Sequence, residues 1–313
     1  MDPLRSTSNV LQPSGPLSSE SSPFDTKPED PLVQLANEVE QHPFTTGKSL
    51  QRSMEYRRQA LYEDRTRDQY LVFTSVPAAQ ACRLSDERSE TSKYCRLFFN
   101  TKTGTLIAKV RPENVYELAI RSFDMLVFYA LHAMNVHDDV VASGSVTVDV
   151  GNWTMEADSC FAPASGNLDL SFCMVIGLSE SERKLALHAR GWLETYSSSV
   201  KVVVTISLKR EYPDIILYRW ELVAPRGYGV LPRSSRLLAR PTAFVQISRT
   251  DDTTSVTGAS YTNGRTTTTT QLDLPFEKVV GRPPHGPLER DLVIPEQELR
   301  KFAEQIWRAQ DLL

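Results

Sequence analysis

The sequence predicts an α/β (α+β) fold, one mixed central sheet with flanking helices, and three stretches carry that expectation. Tyr94 to Asn100 and Thr105 to Val110 are β-prone runs joined by Thr101-Lys-Thr-Gly104, a short glycine-containing link of the kind that closes a hairpin. Pro112 to Met134 repeats Val115, Ala119, Phe123, Leu126, Ala130 and Met134 at steps of three and four, the buried stripe of an amphipathic helix. Leu168 to Ile176, a helix opening near Ser179, and Val200 to Leu208 then read as strand, helix, strand, an order that requires a parallel crossover.

The elements follow in chain order. Residues 1–31 hold seven serines and six prolines with few large apolar side chains, too little buriable surface to offset the entropy of ordering, so this segment reads as a disordered tail. Residues 32–69 read as a helical N-terminal extension, with helices at Leu32 to Val39 and Ser49 to Asp64. The main domain spans 70–313 and opens with a strand at Tyr70 to Val76. Ser145 to Val150 alternates as a strand, with Met155 to Phe161 as its hairpin partner. In Ser179-Glu-Ser-Glu182, Ser179 can cap a helix while Glu182 returns the hydrogen bond; the helix then runs to about Tyr196 with Leu185, Ala189, Trp192 and Tyr196 inward. Ile215 to Leu222 returns antiparallel to Val200 to Leu208, and Thr242 to Ile247 is a further strand. The polar stretch 250–270, with five consecutive threonines, reads as a flexible insertion, and Pro295 to Gln310 as a closing helix with Leu299, Phe302 and Ile306 on one face.

Composition narrows the classes of function. The 313 residues carry a net charge of −4, which argues against coating nucleic acid by bulk electrostatics and leaves only a local basic patch for such a role. No apolar run approaches the roughly 18 residues of a membrane-spanning helix, and the polar start lacks a signal peptide's apolar stretch, so an intracellular protein, cytoplasmic or nuclear, without membrane contact is expected. Cys82, Cys95, Cys160 and Cys173 show no CxxC pairing and read as reduced, structural thiols. Nothing in the sequence fixes an oligomeric state.

The order of elements, together with Thr103-Gly-Thr-Leu-Ile, Val115-Tyr-Glu-Leu, Gly144-Ser-Val-Thr-Val, Met155-Glu-Ala-Asp-Ser-Cys-Phe-Ala-Pro, Val175-Ile-Gly-Leu-Ser-Glu-Ser, Ala189-Arg-Gly-Trp-Leu, Leu274-Pro-Phe-Glu and Arg290-Asp-Leu-Val-Ile, resembles a fungal, Uma2-like family of the PD-(D/E)XK nuclease fold over about Tyr94 to Gln310. That resemblance implies a Mg²⁺-dependent phosphodiesterase site in which a hairpin aspartate and a strand glutamate hold the metal and lower the pKa of a bound water. Asp158 falls at the aspartate position, after Ala157 instead of proline, and Glu117 matches a supporting helix acid. The strand glutamate is replaced by Val175, which cannot ligate a metal, and Gly177 stands where a basic residue usually follows. Glu180 is then the displaced-ligand candidate beside Asp158, with Arg183, Lys184 or Arg190 as the helix-borne base; Lys184 and Arg190 would stabilise charge on a phosphate.

Plainer roles stand beside these: an ion pair of Glu117 with Arg121, a strand-ending Asp158, solvent-facing Arg183 and Lys184, and Glu180 and Glu182 stabilising a helix N-terminus. His137-Asp138-Asp139 and His188 read as solvated or packed residues and not as metal ligands. Arg226, Arg233, Arg236 and Arg240, with Tyr228 among them, form the one local basic patch for nucleic acid. Three functions follow: a nuclease fold that has lost cleavage and is retained for binding nucleic acid or protein, a weakly active Mg²⁺-dependent phosphodiesterase, or a protein-interaction module using the arginine-rich and threonine-rich stretches. Mg²⁺ is expected only if the site is active.

Overall fold

The computed structural model describes residues 30–86, 94–111, 114–166, 169–224, 237–262 and 264–313. The expected tail at 1–31 therefore lies almost wholly outside the described residues, as do Arg226, Tyr228, Arg233 and Arg236.

The chain is a mixed α+β protein in which two sheets face each other. It opens with α1 (Pro31–Asn37), β1 (Gln41–Pro43) and α2 (Gly47–Tyr62), then β2 (Tyr70–Thr74), α3 (Ala78–Asp86), β3 (Cys95–Asn100) and β4 (Thr105–Val110). The long helix α4 (Asn114–Ala133) leads through a 3-10 turn at His137–Asp139 into β5 (Val140–Gly144), β6 (Thr147–Val150), β7 (Trp153–Glu156), β8 (Ser159–Pro163) and β9 (Phe172–Leu178). Next come α5 (Glu182–Glu194), β10 (Val202–Leu208), β11 (Asp214–Val223), β12 (Leu238–Thr250), β13 (Thr253–Thr262) and β14 (Arg265–Thr269). The chain closes with β15 (Leu272–Leu274), α6 (Phe276–Val280), β16 (Leu292–Ile294) and α7 (Glu296–Ala309).

Six strands form the first sheet in the order β1-β2-β4-β3-β7-β6, and eight form the second in the order β14-β13-β12-β11-β10-β9-β8-β5. The expected crossover is present: β9 and β10 are parallel through α5, and β10 and β11 are antiparallel. Helices α2 and α3 cover the outer face of the first sheet, and α4, α6 and α7 the outer face of the second. Between the sheets lies an inner core to which α1 and α5 add Leu32, Leu35, Leu185, Ala189 and Trp192.

Several expectations need correction. Residues 32–69 are no appendage: α1 buries Leu32 and Leu35 in the inner core, and β1 adds a parallel strand to β2. One central sheet was expected where the described residues form two large sheets and a small pair, β15 with β16. The run Met155 to Phe161 is not one hairpin arm, since β7 pairs with β6 in the first sheet whereas β8 pairs with β5 and β9 in the second. Ala157 and Asp158 thus carry the chain from one sheet to the other. The threonine-rich stretch forms β13 and β14 and widens the second sheet, as β-branched side chains favour extended backbone. Helix α5 ends at Glu194, leaving Tyr196 exposed. No helix among the described residues is long and apolar enough to cross a membrane.

Candidate functional site

Alternation along β4 sets the site. Leu106, Ala108 and Val110 face the outer core, so Ile107 and Lys109 face inward between the sheets. Lys109 is fully buried, and its neighbours in register, Tyr70 on β2 and Arg96 on β3, are buried as well. Against them stand two acids delivered by irregular backbone: Asp158 from the crossing between the sheets, and Glu180 from the turn after β9.

That turn differs from the expected capping box. Ser181, not Ser179, caps α5, its hydroxyl accepting from the Lys184 amide at 3.3 Å, and Glu182 is the first helical residue. Ser179 remains bound to the sheet, donating its amide to Leu208 O at 2.7 Å, and adopts a left-handed conformation with φ 54°. The reversal leaves Glu180 only 4% exposed instead of at a solvated helix end. Its side chain occupies the space a side chain at Gly177 would need, since a Cβ there would lie 2.8 Å from both the Cβ and Oε2 of Glu180.

Lys109 Nζ lies 3.4 Å from Glu180 Oε2 and 3.8 Å from Asp158 Oδ2, and donates to Ile176 O at 2.5 Å. Asp158 Oδ2 accepts from Tyr116 Oη at 2.6 Å and from the Ile176 amide at 3.0 Å, while Arg96 Nε stands 3.6 Å from Oδ1. Arg96 also donates to Glu156 at 3.1 Å, and Glu156 accepts from Ser145 at 2.7 Å. Burial alone would push the Asp158 carboxyl up, but Lys109 and Arg96 outweigh it and hold the group below the usual carboxylate range. Burial pushes Glu180 up in spite of the adjacent ammonium. His188, on α5, is fully buried with Nδ1 3.4 Å from Tyr70 Oη and its ring edge-on to Phe98. Burial, then the Lys109 charge, lowers its pKa to about 3, so the imidazole is neutral.

Of the residues singled out from sequence, Asp158 and Glu180 converge, joined through Lys109. Glu117, whose side chain is 46% exposed, pairs with Arg111 and not with the expected Arg121. Lys184 Nζ binds Asp68 at 2.7 Å, Arg183 pairs with Glu38, and Arg190, buried, binds Glu194 through two hydrogen bonds of 3.0 Å. Arg240 is half-buried in β12. Lys109, Arg96 and Tyr70 lie outside every quoted motif, and Tyr116, although part of Val115-Tyr-Glu-Leu, was not singled out.

The arrangement does not fit Mg²⁺. That ion needs near-octahedral oxygen coordination at about 2.1 Å, whereas Val175 supplies no oxygen and the ammonium of Lys109 already stands against both buried acids. Among the described residues no three His, Cys, Asp or Glu side chains are grouped so as to hold a metal ion. What the cluster does chemically is neutralise two buried acids with buried bases, tying β4, the sheet crossing and the β9–α5 turn together. No family model matches the chain, and comparison with curated proteins and with solved structures likewise gives no match.

Proposed function

We propose that this chain is a nuclease-like scaffold without metal-dependent cleavage, retained for binding a nucleic acid or a protein. The observation that carries the reading is the position of Lys109. Its ammonium compensates Asp158 and Glu180 from within the chain. The inner core also holds Val175, at the position where the resembled family carries its second metal carboxylate. Losing one of two metal carboxylates removes most of the affinity for the ion and the means to activate water. An internal cation then takes over the electrostatic duty of the metal and none of its chemistry.

Calorimetric titration of Mg²⁺ and Mn²⁺ into the full chain tests this. The natural protein and Val175→Glu are expected to give only heats of dilution, whereas Lys109→Met/Val175→Glu is expected to bind Mn²⁺. Binding by the natural protein that disappears in Asp158→Ala would overturn the reading. The nature of the bound partner is tested by fluorescence anisotropy with labelled single-stranded and duplex oligonucleotides at several salt concentrations. A linear fall of log affinity with log salt identifies phosphate contacts, and no binding at low salt points to a protein partner.

A further inference from the structure

The two large sheets have four edges, and three of them are blunted. Strand β1 is three residues long and ends in Pro43; β6 is four residues long and carries Asp149; β5 is interrupted by a register shift between Ala142 and Gly144. Proline, charge, shortness and bulges are the devices that stop an edge strand from recruiting another strand. Strand β14 has none of them across its centre. It pairs with β13 on one side and has no second strand among the described residues. Its sequence is Arg265 followed by four threonines, with Arg265, Thr266, Thr267 and Thr268 all exposed. Its outward backbone N–H and C=O groups form a row of donors and acceptors whose complement is another extended backbone.

We propose that β14 is a self-association edge, at which a second copy of this chain pairs antiparallel so that the two eight-stranded sheets continue into one. The run is self-complementary. In an antiparallel pair centred on Thr267, Arg265 faces Thr269 of the partner subunit, so no like charges meet, and threonines oppose threonines, a favourable cross-strand pairing. The contact is isologous and closes at two copies. Five residues make a small interface, so association is expected at roughly 10–100 µM and not at nanomolar concentration. This inference does not depend on how the buried cluster is read.

Sedimentation equilibrium of the full chain up to about 100 µM decides it. The natural protein is expected to rise to an average mass of roughly 1.5 to 1.8 times that of one chain at the highest concentration. Thr267→Lys and Thr267→Glu, which place like charges across the two-fold, are each expected to remain monomeric, and their equimolar mixture to recover the dimer. Circular dichroism melting of each variant checks that this exposed position leaves the fold intact. A natural protein that stays monomeric throughout, or single variants that dimerise as well as it does, would overturn the proposal.

Discussion

The ammonium of Lys109 stands 3.4 Å from the carboxylate of Glu180, with both side chains removed from water between two sheets. Taking one member from a buried set of charges leaves the others uncompensated, which costs about 3–5 kcal/mol. Lys109→Met is therefore expected to lose about that much stability in urea unfolding, and Lys109→Met/Glu180→Gln to lose less than the two single losses added together. Strict additivity would mean that the two residues do not act as a pair.

Acid should weaken the fold through His188. Its folded pKa is depressed, from 6.5 to about 3, so between those values the unfolded chain takes up a proton that the native chain refuses. Stability from this group is fully present above the unfolded value and is lost as pH falls toward the folded one, by at most about 1.4 kcal/mol per pH unit. Lys109, Asp158 and Tyr70 face the ring, and Asp158, held low, adds a loss of the same sign at lower pH. His188→Gln should flatten the dependence between about pH 6 and pH 4, measured as urea midpoint against pH. An unchanged slope would assign the acid sensitivity elsewhere.

Gly177 is expected to resist even a methyl group. A Cβ there meets Glu180 at 2.8 Å and Leu185 Cδ1 at 3.0 Å, neither free to retreat within the core. Gly177→Ala should cost about 1–3 kcal/mol, read as a lowered melting temperature. A glycine at this position is thus explained by the acid folded against it.

The four thiols should differ sharply in reactivity. Cys82 is exposed, whereas burial pushes Cys95 and Cys160 up to about 12 and raises Cys173 well above the usual thiol range. Under native conditions iodoacetamide should modify one thiol quickly and the other three only at the rate of unfolding, as read by intact mass. Rapid labelling of Cys160 or Cys173, which face each other across β8 and β9, would show that this part of the sheet opens.

Much of the fold was legible because periodicity and turn chemistry act locally. The hairpin of β3 and β4, helix α4 and the β9–α5–β10 crossover all follow from such patterns. The second sheet boundary was not, because the switch at Ala157 and Asp158 shows only in which partner each half chooses. Asp158 was singled out through the resemblance, and the structure places it in the buried cluster. Lys109 was not, although Thr-Leu-Ile-Ala-Lys-Val places a lysine at an inward position of an otherwise apolar strand, and a strict period-two reading from Ile107 would have flagged it. Glu180 was misplaced because helix capping by Ser179 and by Ser181 look alike in sequence, and the left-handed turn at Ser179 chooses between them.

The crossing at Ala157 and Asp158 also governs how the molecule comes apart. Because one uninterrupted segment leaves the first sheet and enters the second at the very residue that anchors Lys109 and Arg96, neither sheet can peel away without stranding an acid in the other. Melting is accordingly a shared event, and amide protons of β4 and of β9 should exchange with solvent at matching free energies, as members of one cooperative unit.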